Sequence, residues 1–349
     1  MSGFRIGLAG TGWISRTYMA AFAHVPGAEV VSVWSRTRAN AERFARDCGV
    51  AHATDRLDEM IERVDVVCVN SPNALHAEHA IAAAEAGRHV IVEKPLAVSL
   101  EQGRAMVAAA EKADVGLAYA EELAFVPKFL RARAALDAGE LGRPLYVTQR
   151  EAHDGPYSPW FFTRDEAGGG VLMDMACHSV ECVRWLLGKP AVTAVTARLD
   201  RTRHRERTRL EDHAVIHLEF ESGTTATCEA SWALLGGMQS TLEIWGDAGT
   251  LQIDLLQGTG LRQFRDGAWS TPATDWVVDN GYPQELSHFL ECFASGREPS
   301  ENGADGLAVL EILYAAYASA REGRTIALPF QPEGVERAVD LWLADEADD

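Results

Sequence analysis

The chain predicts a two-part protein, with an N-terminal doubly wound parallel α/β sheet followed by a region of mostly antiparallel strands. Three observations lead there. The stretch Arg5 to Ser15, RIGLAGTGWIS, runs a short apolar strand straight into a glycine-rich turn. Apolar strands and helical segments then alternate to about residue 120, and short strands joined by helices need crossover connections, which means parallel pairing. After Tyr119 the pattern changes to alternating segments separated by hairpin-grade turns.

In the first part, strands are predicted at Phe4–Ala9, Glu29–Trp34, Val64–Val69, His89–Val92 and Val115–Tyr119. Helices are predicted from Ile14 to His24, ending at Pro26-Gly27, and over Arg38–Cys48, Leu75–Ala86 and Leu100–Ala113. In the second part a helix from Pro127 to Ala138 precedes strands at Leu145–His153, Val192–Thr202, His213–Glu221, Thr224–Trp232, Thr241–Trp245 and Thr250–Leu255. Glu221-Ser222-Gly223 and Gly246 to Gly249 supply turns, and one strong helix, Val171–Leu187, stops at Gly188-Lys189-Pro190. Amphipathic helices at Gln284–Ala294 and Ala304–Glu322 are expected to pack back over this domain, and the tail from Glu333 to Asp349 to hold a short, frayed helix.

A chain of 349 residues exceeds the usual single-domain size, so two domains, 1–122 and 123–349, sharing a ligand cleft are expected. A net charge of -19 argues against nucleic acid, whose phosphates would be repelled. No apolar run approaches membrane-spanning length, and Met1-Ser2-Gly3 leads directly into a strand without a signal peptide, so a cytoplasmic location is expected. The six cysteines contain no C-x-x-C pair and read as reduced core residues. His76 and His79 lack further ligands nearby, so no metal is expected, and His79 reads as a surface or cofactor-edge residue. The arginine-rich stretch 198–209 reads as a solvated connection, with a partner-subunit contact as the alternative.

Chemistry is read at the carboxyl ends of the first strands. Gly7, Gly10 and Gly12 allow a tight turn and close backbone approach, and the following helix would turn its first N–H groups toward a pyrophosphate. Ser15 stands where Gly or Ala completes G-x-G-x-x-G, so helix and strand approach slightly less closely. The second strand ends in Trp34-Ser35-Arg36 without an acidic residue to take both ribose hydroxyls of NAD. Ser35 and Arg36 suit a 2′-phosphate, which favours NADP over NAD, although Arg36 stacking on adenine would serve either. Asn70, Ser71, Pro72 and Asn73 form a polar turn placed to touch ribose or nicotinamide, with Asn73 alternatively a helix cap. Glu93-Lys94-Pro95 aims a lysine into the cleft. Gly168-Gly169-Gly170 then opens a helix on which Asp174 and His178, four apart, share one face among apolar neighbours.

GLAGTGWIS, VNSPNALH, VEKPLA and GGGVLMDMACHSVECVRWLLG together resemble the glucose-fructose oxidoreductase, inositol dehydrogenase and MocA family of NAD(P)-dependent oxidoreductases. The resemblance covers essentially the whole chain. It implies a Rossmann domain and a C-terminal domain on a mostly antiparallel open sheet that supplies the interface of a homodimer or homotetramer. It implies NADP or NAD held by Gly10, Thr11, Gly12, Trp13 and Ile14, by Ser35 and Arg36, by the turn Asn70 to Asn73 with His76, and by Glu93 and Lys94. Lys94 resembles the lysine that polarises the reacting oxygen, Asp174 the carboxylate that orients substrate and histidine, and His178 the general acid/base.

The expected activity is hydride transfer between nicotinamide and a secondary alcohol or ketone of a sugar, sugar derivative or cyclitol. The alternatives are a trans-dihydrodiol or other non-sugar alcohol dehydrogenase, and a nucleotide-responsive binding protein without turnover. Two departures from the family pattern stand out. Trp160-Phe161-Phe162 replaces a Trp-Arg pair, so that arginine's contact is absent or moved to Arg164, and Glu121-Glu122 replaces the usual Asn or Arg after the fifth strand. Glu122, and His153, Tyr157 and Trp160 of the loop HDGPYSPW, complete the substrate-binding set with Lys94, Asp174 and His178, with loop packing as the alternative account of Tyr157.

Overall fold

The computed structural model describes residues 3–257, 260–272 and 280–343. They fall into two compact units, Met1–Glu122 with Gly281–Leu307, and Leu123–Asn280 with Ala308–Asp349.

The first unit holds a six-stranded parallel sheet of β1 (Phe4–Ala9), β2 (Ala28–Trp34), β3 (His52–Thr54), β4 (Val66–Val69), β5 (His89–Glu93) and β6 (Leu117–Ala120), in the order β3-β2-β1-β4-β5-β6. The predicted strands are present. The sixth, β3, extends the edge beside β2. Val66 to Val69 and Val90 to Val92 are wholly buried, as a parallel sheet covered on both faces requires. Gly7 has a packing reason inside β1, because a Cβ there would lie 3.1 Å from Val64 Cγ1 and 3.2 Å from Met60 Sδ.

Helices α1 (Trp13–Phe22), α2 (Arg38–Cys48), α3 (Leu57–Ile61), α4 (His76–Glu85) and α5 (Leu100–Ala113) connect these strands. Thr37 and Ser99 cap α2 and α5 by accepting from Asn40 N and Gln102 N. Asn73 does not cap α4. It opens a 3-10 turn, Asn73–Leu75, and Leu75 occupies the cap position. His79 is not at the surface, one of its two expected places, since it is 2% exposed with its ring edge-on to Trp34 at 4.5 Å. Desolvation pushes its pKa down to about 4.

The second unit is built on a nine-stranded sheet. It comprises β7 (Pro144–His153), β8 (Val192–Asp200), β9 (His213–Phe220), β10 (Thr225–Ser231), β11 (Met238–Gly246), β12 (Gly249–Asp254), β13 (Leu261–Arg265), β14 (Ala268–Ser270) and β15 (Ile326–Ala327). The order is β14-β13-β12-β11-β7-β10-β9-β8-β15. Among these pairs β7 and β10 run parallel, with Ala152 opposite Ser231, and the others are antiparallel. Helices α6 (Pro127–Asp137), α7 (Arg164–Ala167) and α8 (Cys177–Leu186) precede β8, and α9 (Tyr282–Ser295) and α10 (Gly303–Glu322) follow β14. The expectation that α9 packs back over the antiparallel domain is corrected, because α9 belongs to the first unit, where Tyr282 lies 6.1 Å from Tyr18 of α1.

The tail is anchored rather than frayed as far as it is described. Its 3-10 turn, Ala338–Leu341, is tied by Val339 N donating to Gly168 O at 3.2 Å and by Asp340 paired with Arg164. The acidic end beyond residue 343 lies outside the described residues. The arginine-rich connection is mostly exposed yet fastened to the loop after β7, with Arg203 paired to Asp154 and Arg207 standing 3.5 Å over the Phe162 ring.

Candidate active site

In the first unit the strand-to-helix turn after β1 is shaped by Gly10. Its φ of +141° suits glycine, and a Cβ there would overlap the carbonyl oxygen of Asn70. The Ser15 hydroxyl donates to Gly10 O at 3.0 Å and accepts from Asn70 Nδ2 at 3.4 Å, so the departure at this position adds a tie between turn and sheet. A Cβ on Gly12 would meet nothing within 4 Å, and α1 begins with neither a side-chain cap nor an acidic residue in its first turn. Open space in front of unclaimed helix N–H groups is what an anionic diphosphate requires.

Trp13 is 70% exposed beside this opening, with Ile14 next in the helix. Thr11 Oγ1 donates to Ser35 Oγ at 3.3 Å, which brings the glycine turn beside the end of β2, and Arg36 is exposed one residue further.

The turn after β4 is buried. Asn70 Oδ1 and Ser71 Oγ have no hydrogen-bond partner among the described residues, and such orphaned groups suit a polar ligand. His76 has one ring nitrogen 2.9 Å from Ser71 O and the other 2.9 Å from Pro95 O, so the ring ties this turn to the Glu93-Lys94-Pro95 segment. Burial, then the negative charge of Glu122, push the Glu93 carboxyl up to about 8, against Lys94 and the Tyr18 hydroxyl. Lys94 is half-buried just after β5, and Glu122 opens a 3-10 turn after β6.

In the second unit Asp174 and His178 are buried, at 5% and 6% exposure. They are not on one regular helix. Asp174 lies in a π-helical turn, Leu172–Ala176, and His178 in the first turn of α8. The two residues remain four apart, but across the junction of a wider i→i+5 turn with the α-helix, and such insertions are frequent at functional sites. Trp232 Nε1 donates to Asp174 Oδ2 at 2.8 Å, and His153 Nε2 lies 3.7 Å from the same oxygen. His153 Nδ1 is buried without a hydrogen-bond partner among the described residues. Tyr157, 80% exposed, stacks on His153 with centroids 5.4 Å apart, and Trp160 stacks on Phe161 at 3.7 Å.

Arg164 does not stand in for the family arginine, because its Nε and terminal nitrogen are engaged by Asp340 at 2.6 and 2.7 Å. The sequence reading also missed Glu211, wholly buried, which accepts at Oε1 from Gly170 N and Leu172 N, both at 3.0 Å, and from the Tyr317 hydroxyl at 2.7 Å. A carboxylate two residues before a strand start was the available signal.

The comparisons agree with this arrangement of parts. Residues 4–120 match the model of an oxidoreductase family with an NAD-binding Rossmann fold, and residues 129–252 that of the GFO/IDH/MocA C-terminal domain. The D-apiose dehydrogenase of Paraburkholderia graminis is 30% identical over 93% of this chain and 90% of its own length. The scyllo-inositol 2-dehydrogenase (NAD(+)) of Bacillus subtilis is 29% identical over 87% of this chain and 90% of its own. A levoglucosan dehydrogenase solved with NADH and levoglucosan superposes with a TM-score of 0.87 at 26% identity, over 94% of this chain and all of that one. With these matches and the two folds in hand, the chain belongs to the glucose-fructose oxidoreductase, inositol dehydrogenase and MocA family and is a nicotinamide-dependent oxidoreductase acting on alcohol or carbonyl groups.

Proposed function

We propose that the enzyme interconverts a secondary alcohol and a ketone on a sugar, sugar derivative or cyclitol, with Lys94, Asp174 and His178 as its catalytic residues. The observation that carries this reading is the buried Asp174 on its π-helical turn, with one oxygen between the Trp232 indole and the His153 ring. A carboxylate held in this way beside aromatic and imidazole groups suits a polyhydroxylated ligand with apolar ring faces.

When bound, the nicotinamide accepts or supplies the hydride. His178 takes the hydroxyl proton during oxidation and returns it during reduction. Lys94 stabilises negative charge developing on the reacting oxygen. Asp174 orients substrate and histidine, and His153, Tyr157, Trp160 and Glu122 contact the substrate.

The cofactor rests on the turn Gly10 to Ile14, on Ser35 and Arg36, on Asn70 to Asn73 with His76, and on Glu93 and Lys94. NADP is favoured because no acidic side chain follows β2 to take the ribose hydroxyls. Residues 1–122 carry the nucleotide. Residues 123–349 carry substrate recognition and, through their sheet, assembly of a homodimer or homotetramer in the cytoplasm.

The test is a panel of scyllo-inositol, D-apiose, levoglucosan and further sugars, sugar acids and inositols, assayed with NAD and NADP by nicotinamide absorbance. His178→Ala is expected to abolish turnover of the best substrate while keeping cofactor affinity. Full activity in that variant refutes the proton-transfer role.

A further inference from the structure

Asp174 is held by a residue to which no sequence motif gave a role. Trp232 follows β10, is wholly buried, and gives its indole N–H to Asp174 Oδ2 at 2.8 Å. An indole is a donor only, with no charge and no second tautomer. It therefore fixes the carboxylate without itself neutralising it.

Both ends of this bond are anchored on one pair of adjacent residues. On the indole side, Trp232 N donates to Asp212 O at 2.8 Å, and the ring packs near Phe162 with centroids 5.8 Å apart. The Asp212 carboxylate is itself fixed, accepting from the backbone N–H groups of Thr202, Arg203 and His204 at 2.6, 2.7 and 2.6 Å. On the carboxylate side, Glu211 clamps the start of the turn that bears Asp174. Its Oε1 accepts from Gly170 N and Leu172 N, and its carbonyl accepts from Val171 N at 3.0 Å. A Cβ on Gly170 would overlap the Glu211 carbonyl oxygen, so that approach depends on glycine.

We propose that Trp232 is a positioning residue for the reaction, fixing the Asp174 carboxylate through a bond whose two ends are both tied to Glu211-Asp212. The inference rests on the role proposed above for Asp174. Misplacing a substrate-orienting group slows turnover far more than it weakens cofactor binding, which resides in the other unit.

The experiment compares Trp232→Phe with a protein carrying β-(3-benzothienyl)alanine at position 232, which keeps the indole shape and lacks the N–H. Asp174→Asn serves as control. The substrate is whichever of the panel above the wild-type enzyme turns over fastest. Expected for both position-232 variants is a kcat lowered about ten- to hundredfold, with NAD(P)H affinity unchanged. A benzothienyl variant with kcat within twofold of wild type, beside an inactive Asp174→Asn, overturns the positioning role and leaves the proposed reaction standing, whatever Trp232→Phe does to folding. An Asp174→Asn enzyme with full turnover overturns the role proposed for Asp174, and the positioning role of Trp232 with it.

Discussion

Glu211 accepts the hydroxyl hydrogen of Tyr317 at 2.7 Å, and neither side chain reaches solvent. Burial pushes this carboxyl up to about 7, although Tyr317 and the backbone N–H groups of Leu172 and Gly170 pull it down. Below the ordinary carboxylate range both folded and unfolded chains hold the proton, and the group costs nothing. As pH rises toward 7 the unfolded chain ionises first, so stability falls, by up to about 3 kcal/mol once the folded form has also ionised. Glu211→Gln removes this loss. Its thermal stability relative to wild type is expected to improve from pH 4.5 to about pH 7 and to level off above that, as read by calorimetry. A difference that stays flat with pH contradicts the assignment.

Gly10→Ala is expected to damage cofactor binding. The added methyl group would press on Asn70 O, and the backbone at φ +141° suits only glycine. Fluorescence titration with NADH and NADPH is expected to show affinity down at least about tenfold, since 1.4 kcal/mol suffices for that. Unchanged affinity would place the diphosphate elsewhere.

Arg36→Ala separates the two cofactors. If the guanidinium pairs with a 2′-phosphate, loss of a charge-assisted bond lowers kcat/KM for NADP about ten- to hundredfold and barely touches NAD. Equal losses with both would point to stacking on adenine.

Asp340→Ala releases the tail. The Arg164 and Asp340 side chains are 37% and 27% exposed, so solvent screens the pair despite its two-point geometry. About 1 kcal/mol is expected. Limited proteolysis should find a new cleavage between Glu333 and Leu343, and an unchanged digestion pattern would show that Val339 alone holds the segment.

Much of the fold was legible because apolar strands alternating with long helices announce themselves. Arg38–Cys48 and Leu100–Ala113 match the structure at both ends. What escaped was short or held by distant partners. Strand β3 has three residues, His52, Ala53 and Thr54, without an apolar run, and its place is set by pairing with β2.

The motif Gly168 to His178 showed which side chains matter, but not the π-helical turn. That geometry accompanies backbone ties from Gly170, Val171 and Leu172 to Glu211, 39 or more residues further along. Trp232 and Glu211 escaped for the same reason, since a tryptophan closing a predicted strand and an acid just before another mark a position without showing a partner until the sheet is assembled. His79 went the other way, because of its two expected places, surface or cofactor edge, the burial against Trp34 removes the surface one.

The parallel alignment of β7 with β10 has a further effect. Two antiparallel neighbours deliver their final residues to opposite borders of a sheet, roughly 20 Å apart for strands of this length. Here both strands exit at one border, so the residues next after Ala152 and Ser231, His153 and Trp232, emerge side by side and reach the same oxygen of Asp174. Inserting or deleting one residue in either strand would turn one of them to the opposite face. Remodelling of substrate preference therefore has to leave both strand lengths intact and work in the segments beyond them.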